Sequence, residues 1–203
     1  ARDLSSNLAN MNDTFNVTDF TAPAIVVDYP RNGSNLSTAI VPLKINVTDN
    51  FNVSLNCTYS IDGLINISSV IVPNGTPQST SFTFGEGGHN WNVSCRDGSG
   101  NINTTGLQTF TVDISAPLFH TLNYSPLSVA DLDPGVVINF TANVTENITQ
   151  IEYVILQYKL ESQSQFTNVT MSVGGLWNAS FNASVNGTYN VRLSTKDLVN
   201  NSD

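Results

Sequence analysis

Val136-Val137-Ile138-Asn139-Phe140-Thr141-Ala142-Asn143-Val144-Thr145-Glu146 alternates between apolar and polar side chains. Successive side chains on a strand point to opposite faces, so Val136, Ile138, Phe140, Ala142 and Val144 share one face and Asn139, Thr141, Asn143 and Thr145 the other. The segment reads as a half-buried strand. The same split recurs where Trp177, Ala179, Phe181, Ala183 and Val185 alternate with Asn178, Ser180, Asn182 and Ser184. It recurs again where Phe51, Val53, Leu55, Cys57, Tyr59 and Ile61 alternate with Asn52, Ser54, Asn56 and Thr58. No stretch longer than a few residues keeps the i, i+3, i+4 apolar spacing of a helix. The chain is therefore expected to be all-β.

Gly, Asn, Asp and Pro clusters separate the apolar runs at short intervals, which indicates β-sandwiches rather than a βαβ fold. Strands are expected near 24–29, 39–48, 52–61, 65–72, 79–84, 89–96 and 107–113, and again near 118–124, 136–145, 150–160, 166–173, 176–183 and 188–195. A length of 203 residues allows one or two domains. The expected organisation is an N-terminal segment over 1–22, a first domain over 23–116 and a second over 117–203.

The polar faces carry few charges. Charged residues make up 11% of the chain, against a typical ~25%, and the net charge of −9 leaves no clustered cations for a phosphate backbone. Nucleic acid is thereby excluded as a partner. Asn, Ser and Thr supply the hydrophilicity instead. The sequence Asn-x-Ser/Thr occurs at Asn12, Asn16, Asn32, Asn35, Asn46, Asn52, Asn56, Asn66, Asn74, Asn92, Asn103, Asn123, Asn139, Asn143, Asn147, Asn168, Asn178, Asn182, Asn186 and Asn200, which is 20 of the 27 asparagines. Chance placement would give roughly 6. This density implies covalent N-linked glycans on exposed faces and an exported, extracellular or cell-surface chain. No apolar run approaches the ~18 residues of a membrane span. The first residues lack a signal-peptide core, as expected of a processed product.

Cys57 and Cys95 both fall on inward positions, Cys95 by the alternation Trp91, Val93, Cys95. In an exported protein a structural disulfide between them is expected. A catalytic thiol would need an exposed, electropositive setting, which the inward phase does not offer.

The chain also contains a repeat. Thr14-Phe15-Asn16-Val17-Thr18-Asp19-Phe20-Thr21-Ala22-Pro23 parallels Thr109-Phe110-Thr111-Val112-Asp113-Ile114-Ser115-Ala116-Pro117, and Asp28-Tyr29-Pro30 parallels Asn123-Tyr124-Ser125-Pro126. The period is about 95 residues. Arg96-Asp97-Gly98-Ser99-Gly100-Asn101 leads into the strand 107–113, whereas its counterpart Lys196-Asp197-Leu198-Val199-Asn200-Asn201 is followed by two residues only.

The Phe-x-Val…Ala-Pro junction and Trp91-Asn92-Val93-Ser94-Cys95-Arg96-Asp97…Gly100-Asn101 resemble the tandem immunoglobulin-like repeats of archaeal and bacterial surface proteins. Within that group the chain resembles a donor-strand-complemented, N-glycosylated pilus or thread subunit. The resemblance covers nearly the whole chain and implies two immunoglobulin-like sandwiches. It is broken in the second unit, which lacks both cysteines and has Leu198-Val199 in place of Gly98-Ser99.

A second sandwich lacking its final strand would expose backbone donors and acceptors beside 187–195 and a groove over Tyr189, Val191 and Leu193. The N-terminal segment carries a spare strand with Phe15, Asn16, Val17 and Phe20. Insertion of that strand into a neighbouring copy would be donor-strand complementation, and head-to-tail insertion without closure makes an open polymer. The expected function is thus a structural filament subunit whose partners are copies of itself. Two alternatives remain: a segment of a long immunoglobulin-repeat stalk or adhesin, and a carbohydrate- or host-surface-binding module. In a stalk, Asp203 would run on in cis to a strand like that of Phe15 and Val17.

No enzymatic constellation is expected. His89 and His120 lie in different units without a second ligand in metal spacing. Asp131-Leu132-Asp133 lacks the Gly and Glu of a Ca2+ loop and reads as turn capping. Glu146, Glu152 and Glu161 form no identifiable pair. Trp91 and Trp177 are in inward phase. Lys44 and Lys196 resemble the lysines of isopeptide-bonded pilins in type only. No cofactor and no metal is expected.

Overall fold

The computed structural model describes residues 14–128 and 131–203, with the side chains of Asn66 and Ser68 outside the description. Asn12 and residues 1–13 of the N-terminal segment therefore lie outside the described residues. The described chain is built from strands that form two tandem sandwiches.

In the first unit, one sheet joins β1 (Ala24–Tyr29), β3 (Ile40–Thr48) and β6 (Gln78–Thr83) in the order β1-β3-β6. The facing sheet has the order β2-β9-β7-β4-β5, from β2 (Ser34–Leu36), β9 (Gln108–Val112), β7 (Gly87–Arg96), β4 (Ser54–Ile61) and β5 (Leu64–Pro73). The short β8 (Ile102–Thr104) pairs with the end of β7. Alternation along β3 and β7 delivers Val41, Leu43, Ile45 and Val47 from one sheet against Trp91, Val93 and Cys95 from the other, all fully buried. Each such side chain contributes about 1.5–3 kcal/mol of burial. Cys57 lies directly opposite Cys95 across β4 and β7, and the two form a disulfide. Its sequence separation of 38 corresponds to roughly 4 kcal/mol in the chain-entropy account.

In the second unit, one sheet has the order β10-β11-β15-β14, from β10 (Leu118–Ser125), β11 (Val136–Thr145), β15 (Leu176–Ala183) and β14 (Ser172–Gly174). The other has the order β13-β12-β16, from β13 (Thr167–Thr170), β12 (Ile151–Leu160) and β16 (Tyr189–Asp197). Ile138, Phe140, Ala142 and Val144 pack against Val154, Leu156 and Phe181.

The alternation fails where turns take over. Phe51 and Val53 are exposed rather than inward, because β4 begins only at Ser54. Before it, Asp49 Oδ1 accepts hydrogen bonds from the Phe51 and Asn52 amides and holds residues 49–52 in a turn. Val185 is likewise exposed, lying beyond β15 in the loop to β16. Trp91 is fully buried, whereas Trp177 is only half-buried against the second core. The sequence pattern also missed β2 and β8, each of three residues, and read β13 and β14 as a single strand over 166–173.

Candidate functional site

The two units end differently. In the first, β9 completes the sheet beside β7, with His89 opposite Phe110 and Gly87 opposite Val112. Phe110 is 2% exposed and Val112 0%. In the second, β16 pairs with β12 on one side. On its other side the described contacts are the Lys196–Ser202 bridge and the paired Thr195 and Asp203 backbones. That bridge occupies the place of β8. From Tyr189 to Ser194, no described strand pairs with the outer edge of β16.

A groove of about 470 Å3 opens beside this edge. Tyr189 and Val191 line it together with Tyr124, Ile138, Phe140 and Phe181. Leu193 does not line it and instead packs, half-buried, against the second core. Phe15, Asn16, Val17 and Phe20 belong to no strand within this chain. Phe15 is 87% and Val17 84% exposed, although they correspond to the buried Phe110 and Val112.

The linkers themselves are held. Asn201 Nδ2 donates to Asp197 Oδ2 at 2.8 Å, to the Asp113 carbonyl at 3.0 Å and to the Ser115 carbonyl at 3.1 Å. Asn101 Nδ2 donates to Asp97 Oδ2 at 2.7 Å, to the Asp19 carbonyl at 3.1 Å and to the Thr21 carbonyl at 3.4 Å. The two clasps use corresponding residues of the repeat. Each unit therefore grips the segment that precedes it through the turn that follows its last long strand. Both turns are fixed locally: Asp97 Oδ1 accepts from the Asn101 amide, and Asp197 Oδ1 from the Val199 and Asn201 amides. At Gly98 a side chain would collide with Asn52 Oδ1, while Leu198, its counterpart, stands exposed.

Acidic side chains gather at the same places. Asp19, Asp49 and Asp97 offer ligand atoms within 4.8 Å of one another, and so do Asp113, Glu146 and Asp197. Asp113 and Asp197 are 0% exposed. Burial works to raise the carboxyls of Asp49 and Asp97, but the amide donors of Asn52 and Phe51 at the first, and of Asn101 at the second, hold both below the ordinary carboxylate range. The spacing of these acids, spread over linker, loop and turn, gives no motif in the sequence, and Asp131-Leu132-Asp133 stands exposed instead. The signal available was the repeat, in which Asp19, Asp49 and Asp97 recur as Asp113, Glu146 and Asp197.

The remaining candidates are dispersed. His89 contacts Asp62 at 2.8 Å and the Gly85 carbonyl at 3.0 Å, while His120 contacts Thr145 at 2.8 Å. Lys196 pairs with Glu152 at 2.8 Å, and Lys44 lies over the Tyr29 ring. Among the described residues, no nucleophile is assembled with a base and an acid. None of the sequon asparagines with described side chains is buried. The Nδ2 atoms of Asn74 and Asn103 are engaged, the first with the Asp49 and Asn52 carbonyls at 2.7 Å and the second with the Pro23 carbonyl at 2.8 Å.

No family profile matches the chain. Halomucin of Haloquadratum walsbyi is 32% identical over 130 residues, which cover 63% of this chain and 1% of that protein. This chain thus corresponds to a very small part of the relative it matches. Among solved structures, domains A168–A170 of titin match at 11% identity with a TM-score of 0.61, covering 89% of this chain and 62% of that one. The fibronectin(III)-like modules of Clostridium thermocellum CbhA match at 12% identity and a TM-score of 0.45, covering 88% of each chain. The architecture is that of tandem immunoglobulin-like sandwiches. Among the described residues no helix is long and apolar enough to cross a membrane.

Proposed function

We propose that this chain is a stretch of an extracellular, N-glycosylated stalk or adhesin built from immunoglobulin-like units. The recurring clasp carries the reading. Asn101 grips Asp19 and Thr21 as Asn201 grips Asp113 and Ser115. Residues 14–21 therefore stand to the first unit as 109–115 stand to the second, where the same stretch is also the closing strand of the unit before. An array in which each closing strand runs directly into the next clasp buries Phe15 and Val17 in a preceding unit. It also fills the groove beside β16 with a following strand. The likeness to a short part of Halomucin fits a protein of many units. Sequon density and the disulfide support an extracellular setting.

The intact mass of the denatured and reduced native chain tests this. A mass far above 21.9 kDa plus glycan, with further units of about 95 residues in its peptides, is the expected result. A single 203-residue chain would overturn it. That outcome is the mark of the second reading, a filament subunit that hands Phe15 and Val17 to the open edge of a neighbour. The observation favouring that reading is that, among the described residues, no strand covers the groove while Phe15 and Val17 stand exposed.

A further inference from the structure

Each junction places one linker carboxylate against two from the unit it enters: Asp19 against Asp49 and Asp97, and Asp113 against Glu146 and Asp197. Like charges gathered this closely repel unless a cation lies between them. Among the described residues the ion pairs are His89–Asp62 and Lys196–Glu152, and neither uses any of these six acids. The protein supplies donors to one oxygen of several of these carboxylates and leaves the other bare. Asp49 Oδ1 accepts from the Phe51 and Asn52 amides, and Glu146 Oε1 from the Asn147 and Ile148 amides. Asp49 Oδ2 and Glu146 Oε2, in corresponding loops, are buried and accept no hydrogen bond, and Asp19 Oδ2 is in the same condition. Buried oxygens that carry charge and lack a donor are costly unless a metal ion meets them. The recurrence of the same orphaned oxygen in two units of different sequence makes an accident of packing a poor account.

We propose that each junction binds one divalent cation between the linker carboxylate and the two unit carboxylates, and that the ion is Ca2+. The donor set is all oxygen, which suits a hard cation and not Zn2+. Three protein carboxylates at one junction suit Ca2+, which takes about six to eight oxygen ligands largely from protein, better than Mg2+, which keeps several waters and uses one or two carboxylates. The ligand atoms of each cluster lie within 4.8 Å of one another, close enough for one ion to meet all three. Because one ligand comes from the linker, the ion would fasten linker to unit alongside the Asn101 and Asn201 clasps. The inference does not depend on whether successive units belong to one chain or to several.

The test uses the full chain, stripped with EGTA and titrated with CaCl2 by calorimetry, with thermal unfolding in parallel. Two ions per chain and a Tm that rises with CaCl2, falls back with EGTA and ignores NaCl of equal ionic strength are the expected results. Asp49→Asn and Glu146→Gln each keep an acceptor for the loop amides and should each reduce the stoichiometry from two to one. The double variant should bind none, and its Tm should be the same in CaCl2 and in EGTA. A purely structural role for these acids would leave the wild-type Tm equally indifferent to CaCl2. Absence of binding at millimolar CaCl2 with a Tm unmoved by EGTA would overturn the proposal, as would two-ion binding retained by the double variant.

Discussion

Asn201 is a small residue with a large reach. Its amide contacts the turn it belongs to and two linker carbonyls 86 to 88 residues away in sequence. Asn201→Ala leaves the Asp113 and Ser115 carbonyls without that donor, and should destabilise the second unit by about 2 kcal/mol. Each unit contains one tryptophan, Trp91 and Trp177, so urea unfolding followed after replacing Trp91 by Phe isolates the second transition. Asn101→Ala should act on the first unit in the same way. Asp62 offers a separate test at this scale. Burial tends to raise its carboxyl, but the Asn90 amide and His89 hold it below the ordinary range. A carboxyl lower in the folded than in the unfolded state stabilises the fold above its unfolded value, about 3.9, and loses that contribution as pH falls through the folded value. Asp62→Asn should therefore lower the Tm near pH 5 and have little effect below that folded value. The pair is partly exposed, so the difference stays under about 1 kcal/mol. Equal Tm differences at pH 5 and pH 2 would show that Asp62 acts by shape alone.

At the level of elements, the edge of β16 matters most. In the first unit the corresponding edge of β7 is closed by β9, with Phe110 and Val112 filling the core. A copy of the sequence 14–21 fused after Asp203 through a linker of about five residues, which reproduces the spacing from Asn101 to Thr109, should pair there. The amides of Tyr189 to Leu193 should then exchange at least tenfold more slowly, and the same fusion carrying Phe15→Asp should give no protection. Protection by the Asp variant would mean that the added chain lies elsewhere. The strands that form this edge were legible because alternation over nine or ten residues leaves little freedom of register, as in β11 and β16. Alternation says nothing once a side chain captures the backbone, which is why Asp49 turned Phe51 and Val53 outward. Three-residue strands such as β2 and β8 carry too few alternations to be read at all. The clasping asparagines stood in plain sight inside the repeated turn, but their acceptors are main-chain carbonyls, which leave no trace in side-chain pattern.

Across the whole molecule, the open question is what covers so much apolar surface on a chain with so few charges. Ile71 on β5 lies opposite Asn56 on β4, and Val137 on β11 lies opposite Asn182 on β15. Directly opposed residues on antiparallel strands share a face. Both apolar side chains are exposed, and both asparagines are exposed acceptor sites. A glycan on Asn56 or Asn182 would lie over its neighbour, and so perform the shielding that charged residues provide on other surfaces. Asn74 is placed in the opposite way: its Nδ2 donates to the Asp49 and Asn52 carbonyls, and a glycan, which replaces one of its two hydrogens, would break at least one of these bonds. Glycopeptide mass spectrometry of the native protein should find Asn56 and Asn182 occupied and Asn74 bare. Replacing Asn56 and Asn182 by Gln should leave the Tm nearly unchanged while increasing binding of a hydrophobic dye and self-association. Heavy occupancy at Asn74 with Asn56 and Asn182 unmodified would mean that glycans on this chain follow local sequence alone and are not positioned by its surface.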